Sequence, residues 1–174
     1  MKTVFTMNKA FSFSSQKVKL HLYTSFVLPI LTYASEVWNP IMAKDSYMME
    51  KVQRLATKHF ILRNYSDSYD CRLVKCGLPS LRTYRKIKDL VYIYKLGHDM
   101  GGNLNLNSLK FSHSQFKHHS NDLLEKSYSS NWQHQEFSYR NILTWNNLIK
   151  EAKQASSLKL FRNALSTLCF DNYT

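Results

Sequence analysis

The stretch LRTYRKIKDLVYIYKLGH, residues 81–98, carries the clearest structural signal in this chain. At 100° per residue, one arc of a helix would collect its apolar side chains: Tyr84, Ile87, Leu90, Val91 and Tyr94. The remaining circumference would carry Arg82, Arg85, Lys86, Lys88 and Lys95, with Tyr92 and Ile93 among them. Ser80 precedes the stretch and can cap its first turn. The sequence therefore predicts a long amphipathic helix from Leu81 to about His98.

A second helix is predicted upstream, beginning near Gln16. Its apolar stripe consists of Val18, Leu22, Phe26, Ile30 and Tyr33, and it is widened by Leu20, Tyr23, Val27 and Leu31. Because Pro29 lacks a backbone N–H and its ring clashes with the preceding turn, we expect it to kink or break this helix.

A third helix is predicted between Asp45, a suitable N-cap, and about Arg63. One side would carry Met48, Val52, Leu55, Ala56, His59 and Phe60. The opposite side would carry a basic stripe of Lys51, Arg54 and Lys58 within about 60°. An i,i+4 pair between Glu50 and Arg54 would be worth only about 0.3–0.5 kcal/mol, which leaves Arg54 largely uncommitted.

The rest of the chain completes a mainly α fold. Residues 69–77, YDCRLVKCG, predict a short helix closed by Gly77, and the polar stretch 100–135 predicts a long irregular loop. Helical spacing returns with Phe137, Ile142, Trp145, Leu148 and Ile149, and Ser157 can cap a last helix carrying Leu158, Phe161, Leu165 and Leu168. Few glycines and prolines disfavour an all-β fold. We expect a thumb-like helical bundle over 1–99, a linker over 100–135 and a helical pair over 136–174.

Charge and cysteine content restrict the class of protein. The chain has 24 basic and 12 acidic residues, a net charge of +12, which favours polyanionic partners. Three cysteines, and an N-terminus unlike a secretory signal, indicate a reducing compartment, the nucleus or the cytoplasm. The longest uncharged stretch, 16 residues between Lys19 and Glu36, is shorter than a membrane span and contains polar side chains. We expect neither a membrane nor a small-molecule ligand.

Two successive helices with basic faces, and an aromatic ring among the cations of the second, favour nucleic acid over a merely solvated surface. The predicted binding residues are Lys51, Arg54, Lys58, Arg82, Arg85, Lys86, Lys88, Tyr92 and Lys95. Zinc ligation by Cys71 and Cys76 with histidines such as His98 is disfavoured, because the spacing matches no zinc finger. Glu151 and Lys153 match a fragment of a nuclease motif, but the local pattern is helical. No metal or other cofactor is expected.

Four blocks together resemble one known family. These are LPILTYASEVWNP (28–40), MEKVQRLATKHF (49–60), GLPSLRTYRKIKDLVYIYKLGH (77–98) and FSYRNILTWNNLIKEAKQASSLKLFRNAL (137–165). In order and spacing they resemble the region downstream of the palm in reverse transcriptases of LINE-type, Jockey-like non-LTR retrotransposons. The resemblance covers roughly residues 10–168.

The resemblance implies an α-helical thumb that clasps an RNA–DNA hybrid or another duplex behind a polymerase site. It implies that residues 27–40 form a buried helix end, with Trp38 as a packing anchor whose indole N–H needs one partner. The family's Mg²⁺ is held by palm carboxylates that include paired aspartates, and this sequence contains no Asp-Asp pair. The expected protein is therefore a non-catalytic fragment of an RNA-directed DNA polymerase.

An alternative of another class remains open: a degenerate remnant or a protein-interaction module that docks on the palm or fingers of a reverse transcriptase or self-associates. The stretch FKHHSNDLLEKS (116–127) is poorer in positive charge than the family's equivalent, and Leu148-Ile149 replaces its usual Leu-Pro. An exposed patch around Phe26, Tyr33 and Trp38 would favour this alternative, because a surface that faces an absent domain should be apolar.

Overall fold

The computed structural model describes residues 2–40, 42–63, 65–98 and 136–170, and within these ranges every regular element is helical. The mainly α fold predicted from the sequence is thereby confirmed. The chain packs as two compact units: Met1–Arg85 with Cys169–Thr174 (unit 1), and Lys86–Leu168 (unit 2). The division falls inside the long helix, whereas the sequence placed a boundary after residue 99. The predicted linker, 100–135, lies outside the described residues.

Unit 1 is built from short helices around one apolar core. Its elements are α1 (Lys2–Ala10), α2 (Gln16–Leu22), a π-helical segment (Tyr23–Val27), α3 (Leu28–Thr32), α4 (Ser35–Trp38), α5 (Ala43–Leu55), a second π-helical segment (Ala56–Ile61), α6 (Tyr69–Cys76) and the first turns of α7 (Leu81–Gly97). The core includes Tyr23, Ala56, Phe60, Leu73 and Leu81, all essentially inaccessible to solvent.

A π-helical turn replaces the break expected at Pro29. Elements α2, Tyr23–Val27 and α3 run into one another, and the backbone N–H of Leu28 donates to the carbonyl of Tyr23, five residues back. This wider turn precedes Pro29 directly, so the proline lies in the first turn of α3. The helix ends at Thr32, and Ala34, a non-glycine residue with a left-handed φ of 48°, precedes α4.

The buried face of this continuous helix differs from the predicted one. Most of the expected core stripe, Val18, Phe26, Ile30 and Tyr33, is exposed, which makes that prediction wrong. The buried side consists of Lys19, Tyr23, Val27, Leu28 and Thr32. Both sides of the helix are rich in apolar residues, so the period alone could not identify the side that faces the core.

Helix α5 buries polar side chains, and a hydrogen-bond network accounts for them. It begins at Ala43 with Met42 as N-cap, so Asp45 lies in the first turn and is not the cap. The hydroxyl of Tyr23 donates to Gln53 Oε1 at 3.1 Å, and Gln53 Nε2 donates to the Pro79 carbonyl at 2.8 Å. Buried polar groups are tolerated where they find such partners. The helix is therefore fixed to the chain that leads into α7.

Glu50 does not pair with Arg54 as predicted. Its carboxylate is buried and accepts a short hydrogen bond from the Tyr69 hydroxyl. It also accepts from the backbone N–H of Leu81, the first residue of α7, at 3.1 Å. A carboxylate at a helix N-terminus satisfies an otherwise unpaired donor and opposes the positive end of the helix dipole.

Three local helix-end predictions, at Gly77, Ser80 and Ser157, are confirmed, in contrast to that at Asp45. Ser80 Oγ accepts from the backbone N–H of Thr83 at 3.1 Å, and Ser157 Oγ accepts from Leu160 at 3.3 Å. Gly77 ends α6 in the left-handed conformation, with φ of 61°. These signals are local, so neighbouring sequence is sufficient to specify them.

Unit 2 packs the second part of α7 with α8 (Phe137–Arg140), α9 (Ile142–Asn146), α10 (Lys150–Lys153) and α11 (Leu158–Phe170). The rings of Tyr94 and Phe161 stack at 4.4 Å between centroids, and Trp145 is buried beside Phe161. Asp89 accepts from Arg140 Nε at 3.1 Å, joining α7 to α8. Ile149, which was predicted to share the helical spacing, is 48% exposed, and the described residues of this region form four helices where a pair was predicted.

Candidate nucleic-acid interface

One surface of unit 1 is formed by cations on α5 and the π-helical segment that follows it. We call this surface the basic stripe, and it consists of Lys44, Lys51, Arg54 and Lys58. The first three are exposed and Lys58 is half-buried. Spacings of seven, three and four residues place these side chains on one side of the helix. The prediction that Lys51, Arg54 and Lys58 share a side clear of the core agrees with this placement.

No carboxylate in the described part of the chain forms an ion pair with the basic stripe. Among the described residues, the ion pairs found are Lys75 with Asp67 and Arg140 with Asp89, and neither involves a stripe residue. Glu50, the carboxylate closest in sequence to Lys51, points inward. The positive charge of the stripe is therefore available to an external anion.

The Arg54 side chain packs on an aromatic ring of the core. Its guanidinium carbon lies 4.1 Å from the ring centroid of Tyr69, while the residue as a whole remains exposed. The Tyr69 ring is buried, and burial followed by the hydrogen bond to Glu50 raises the pKa of its hydroxyl far above its ordinary value. The ring stays neutral, so Arg54 rests on a fixed, electron-rich platform. A cation positioned in this way loses less side-chain entropy on binding a phosphate.

The C-terminal end of the stripe is closed by Tyr65. The Lys58 Nζ lies 5.5 Å from the centroid of the Tyr65 ring, and the His59 ring meets the same ring edge-on at 5.2 Å. Just before it, Arg63 has a left-handed φ of 50°, uncommon for a non-glycine residue. This backbone conformation ends the helical segment and turns the chain, and Tyr65 lies against its last side chains.

The long helix α7 contributes fewer free cations than the sequence predicted. Arg82 and Lys86 are exposed, whereas Lys88 and Lys95 are half-buried. Arg85 is buried, with Nε donating to Asn39 Oδ1 at 2.9 Å and Nη2 donating to Ser46 Oγ at 3.0 Å. The prediction that Arg85 faces a phosphate strand is therefore wrong. A guanidinium can be buried where it finds acceptors such as Asn39 and Ser46, and a helical projection does not show partners this distant in sequence.

Tyr92 and Ile93, which the sequence placed among the cations of α7, pack against other residues of unit 2. The Tyr92 ring packs edge-on against Phe137 at 5.3 Å, and Ile93 is fully buried. The Tyr92 ring is also half-buried, so it offers less open surface to a base than an exposed ring does. We therefore correct the assignment of Tyr92 as the aromatic of the binding surface.

Three residues of the surface were missed from the sequence: Lys44, Tyr47 and Tyr65. Lys44 and Tyr47 lie seven and four residues before Lys51, so extending the same helical projection by two turns would have found them. The helix was taken to begin at Asp45, which excluded Lys44. Tyr65 follows the helix and is brought to it by a turn, and no periodic signal reports that placement.

Other kinds of site have less support. Within the four described ranges, no group of three or more histidine, cysteine, aspartate or glutamate side chains is placed to hold a metal ion. Four of the histidines considered for zinc, His113, His118, His119 and His134, lie outside those ranges. In the same part of the chain, no helix is both long and apolar enough to cross a bilayer.

In comparisons with known proteins, no family model, curated protein or solved structure matches this chain. The four sequence blocks and the geometry of unit 1 thus carry the functional argument.

Proposed function

We propose that this chain is a non-catalytic helical fragment of a LINE-type retrotransposon reverse transcriptase that binds nucleic acid through its basic stripe. The observation that carries the proposal is one side of a helical segment with Lys44, Lys51, Arg54 and Lys58, for which the described residues provide no carboxylate partner. The ordered sequence blocks supply the family. The mainly α fold is compatible with a polymerase thumb.

The chemistry of such a stripe is recognition of the sugar-phosphate backbone without base specificity. Lysine and arginine neutralise phosphates and release condensed counterions, so affinity depends on salt. If all four stripe cations contact phosphates of a duplex, log affinity should fall with log salt at a slope of about −3.6. The exposed Arg82 and Lys86 would add to this slope only where the bound strand reaches them.

Polymerisation is not part of the proposed activity of this chain. The paired aspartates that hold the two metal ions in this family have no counterpart in the sequence. Mg²⁺ would therefore be bound by the palm, outside this chain, and the fragment would act by holding the template-primer.

A matched pair of triple variants tests the proposal. K44A/K51A/K58A removes three lysines from the stripe, and K2A/K9A/K17A removes three exposed lysines elsewhere in unit 1. Both change the net charge from +12 to +9. Fluorescence anisotropy with a labelled RNA–DNA hybrid, repeated over a salt series, should show a slope less steep by about 2.7 for the stripe variant. The control should retain the wild-type slope.

If the affinity for the hybrid falls equally in the two variants, only the net charge matters, and the stripe is not a binding site. A salt-insensitive affinity in the wild type would remove the proposal altogether, because phosphate contacts would not contribute.

A second candidate function is favoured by one specific observation: unit 1 exposes an apolar face. Phe26 is 60%, Ile30 70% and Tyr33 78% exposed. Trp38 is 39% exposed and donates its indole N–H to the Tyr33 carbonyl, so it finds its one partner but is not the buried anchor that was predicted. Contiguous exposed apolar residues are typical of interaction surfaces. The face could dock on another domain of the polymerase or on a second copy.

Sedimentation velocity over a concentration series distinguishes this candidate. F26D/I30D places two charges on the apolar face, and H21D/S25D places two charges on neighbouring exposed positions of the same helix. Concentration-dependent association that is lost in F26D/I30D and retained in H21D/S25D would support self-association through the face. A wild-type chain that stays monomeric throughout would contradict it.

A further inference from the structure

The basic stripe is interleaved with aromatic rings that face solvent. Tyr47 lies on α5 between Lys44 and Lys51 and is 58% exposed. Tyr65 lies at the other end, against Lys58, and is 64% exposed. Single exposed apolar residues are scattered over most protein surfaces. Here two exposed rings lie on the same surface, the basic stripe.

We propose that Tyr47 and Tyr65 are base-stacking platforms and that the basic stripe binds an unpaired polynucleotide strand, RNA or DNA. The inference rests on the proposed nucleic-acid binding of the same surface and specifies its substrate. In a duplex the bases are paired and stacked on one another, so an exposed tyrosine finds no free base face. In a single strand the base faces are available, and stacking on tyrosine is tolerant of sequence.

The contacts at the two rings suit this role. The Tyr65 ring has Lys58 Nζ 5.5 Å from its centroid and a T-shaped contact with the His59 ring at 5.2 Å, while 64% of the residue stays exposed. The Tyr47 ring has no ring neighbour among the described residues and follows the same side of the helix as Lys51 and Arg54. Aromatic rings alternating with cations form the pattern by which single-stranded nucleic acid is bound without sequence preference.

The dimensions are those of a short single-stranded site. Eleven residues separate Tyr47 from Lys58, which at about 1.5 Å per residue is roughly 16 Å along the helix. At about 3.4 Å per nucleotide, a stacked strand covers that length with roughly five nucleotides. This falls within the range of about 4–16 nucleotides that single-strand-binding folds occupy.

The test compares single-stranded and duplex ligands on the full chain. The probes are labelled oligo(dT), oligo(U) and a hairpin duplex of the same backbone length, measured by anisotropy at one salt concentration and then over a salt series. For Y47A/Y65A we expect single-strand affinity to fall at least about 30-fold, with duplex affinity changed less than about threefold. The salt slope should stay at the wild-type value, since no cation is removed.

Two further variants separate ring stacking from general loss of surface. Y47F/Y65F keeps both rings and should bind like wild type, whereas Y47L/Y65L keeps apolar bulk without a ring and should bind like the alanine variant. F5A/F13A removes two exposed rings elsewhere in unit 1 and should change nothing. Circular dichroism confirms that each variant is folded.

The outcomes distinguish failure of base stacking by the two tyrosines from failure of nucleic-acid binding by the basic stripe. Parallel weakening for single strand and duplex, or leucine variants that bind like wild type, would overturn the stacking role while leaving stripe binding intact. Absence of binding to every probe by the wild type would overturn both. Matching losses on oligo(dT) and oligo(U) assign the site to unpaired strands in general, whereas loss on one alone assigns it to RNA or to DNA.

Discussion

Two helical segments of unit 1, Gln16–Thr32 and Ala43–Ile61, have opposite relations between polarity and burial. The first exposes Phe26 and Ile30 and buries a lysine, Lys19, whose Nζ donates to the Ser12 carbonyl at 3.2 Å. The second buries Glu50 and Gln53 and exposes its cations. Each contains a π-helical turn. Tyr23 of the first segment donates to Gln53 of the second, 30 residues away in sequence, so a remote partner contributes to which side of each segment faces the core.

The largest expected effect comes from two adjacent residues of the first segment. Val27 is buried and Phe26 is exposed, although both are apolar. We expect Val27→Asp to lower the free energy of unfolding by more than about 3 kcal/mol, since an unpaired charge would be buried. Phe26→Asp should change it by less than about 1 kcal/mol. Urea denaturation followed by circular dichroism measures both, and similar losses would contradict the assignment of faces.

The buried carboxylate of the second segment should have the next largest effect. Glu50→Ala leaves the Tyr69 hydroxyl and the Leu81 N–H without an acceptor in the interior. We expect the free energy of unfolding to fall by roughly 2–4 kcal/mol. Asp45→Ala, at an exposed position of the same helix, is the control and should stay within about 0.5 kcal/mol. A Glu50 variant as stable as the control would mean that the network does not hold α7.

The free energy of unfolding of unit 1 should fall as the pH rises above the ordinary pKa of a cysteine thiol. Burial raises the pKa of the Cys76 thiol from its ordinary 9.0 to about 11. Between these values the unfolded chain loses a proton that the folded chain keeps, so stability falls as pH rises, by at most about 1.4 kcal/mol per pH unit. The raised pKa values of Tyr23 and Tyr69 act in the same direction above pH 10.

Lys19 opposes this trend, because burial lowers its pKa and the folded chain releases that proton first. In Cys76→Ala the alkaline loss should begin about one pH unit higher than in wild type, and Cys71→Ala, at an exposed position, should leave the profile unchanged. Urea denaturation at pH 8 to 11 measures this difference. Identical profiles for both cysteine variants would assign the loss to other groups.

The smallest expected effect concerns the helix caps. Ser80 Oγ accepts from Thr83 at 3.1 Å, whereas Ser15 Oγ accepts from Val18 only at 3.5 Å, the limit of a hydrogen bond. We expect Ser80→Ala to cost about 1 kcal/mol and Ser15→Ala a few tenths. Thermal denaturation of the two variants compares them directly, and the reverse order would contradict the geometry.

The sequence was sufficient for much of the local structure. The period of 3.6 residues located the longer helices from Gln16 onward but not α1, and Ser80, Gly77 and Ser157 marked helix ends as the structure has them, whereas Asp45 did not. Each of these signals depends on neighbours within a few residues. Contacts between residues that are distant in sequence therefore have little effect on these signals.

Which side of each helix faces the core was harder to predict, because the residues that it contacts are remote in sequence. Arg85 donates to Asn39 and Ser46, some forty residues earlier, and Gln53 donates to Pro79. No window on the sequence reports such pairs. The same limit applies to the candidate site: three of its cations could be predicted from one helix, whereas Tyr65 required the turn at Arg63.

The π-helical turns of unit 1 have a consequence for how this sequence can change. Each holds one residue more than an α-helical turn. Deleting a single residue inside Tyr23–Val27 or Ala56–Ile61 would let an ordinary α-helical turn form in place of the wider one, so the side chains before and after it would keep their faces. The same deletion in an α-helical part would rotate the preceding side chains by about 100° relative to the following ones. Homologues with a one-residue gap in these helices should therefore have it at the π-helical turns, with the same interior and surface positions upstream of it.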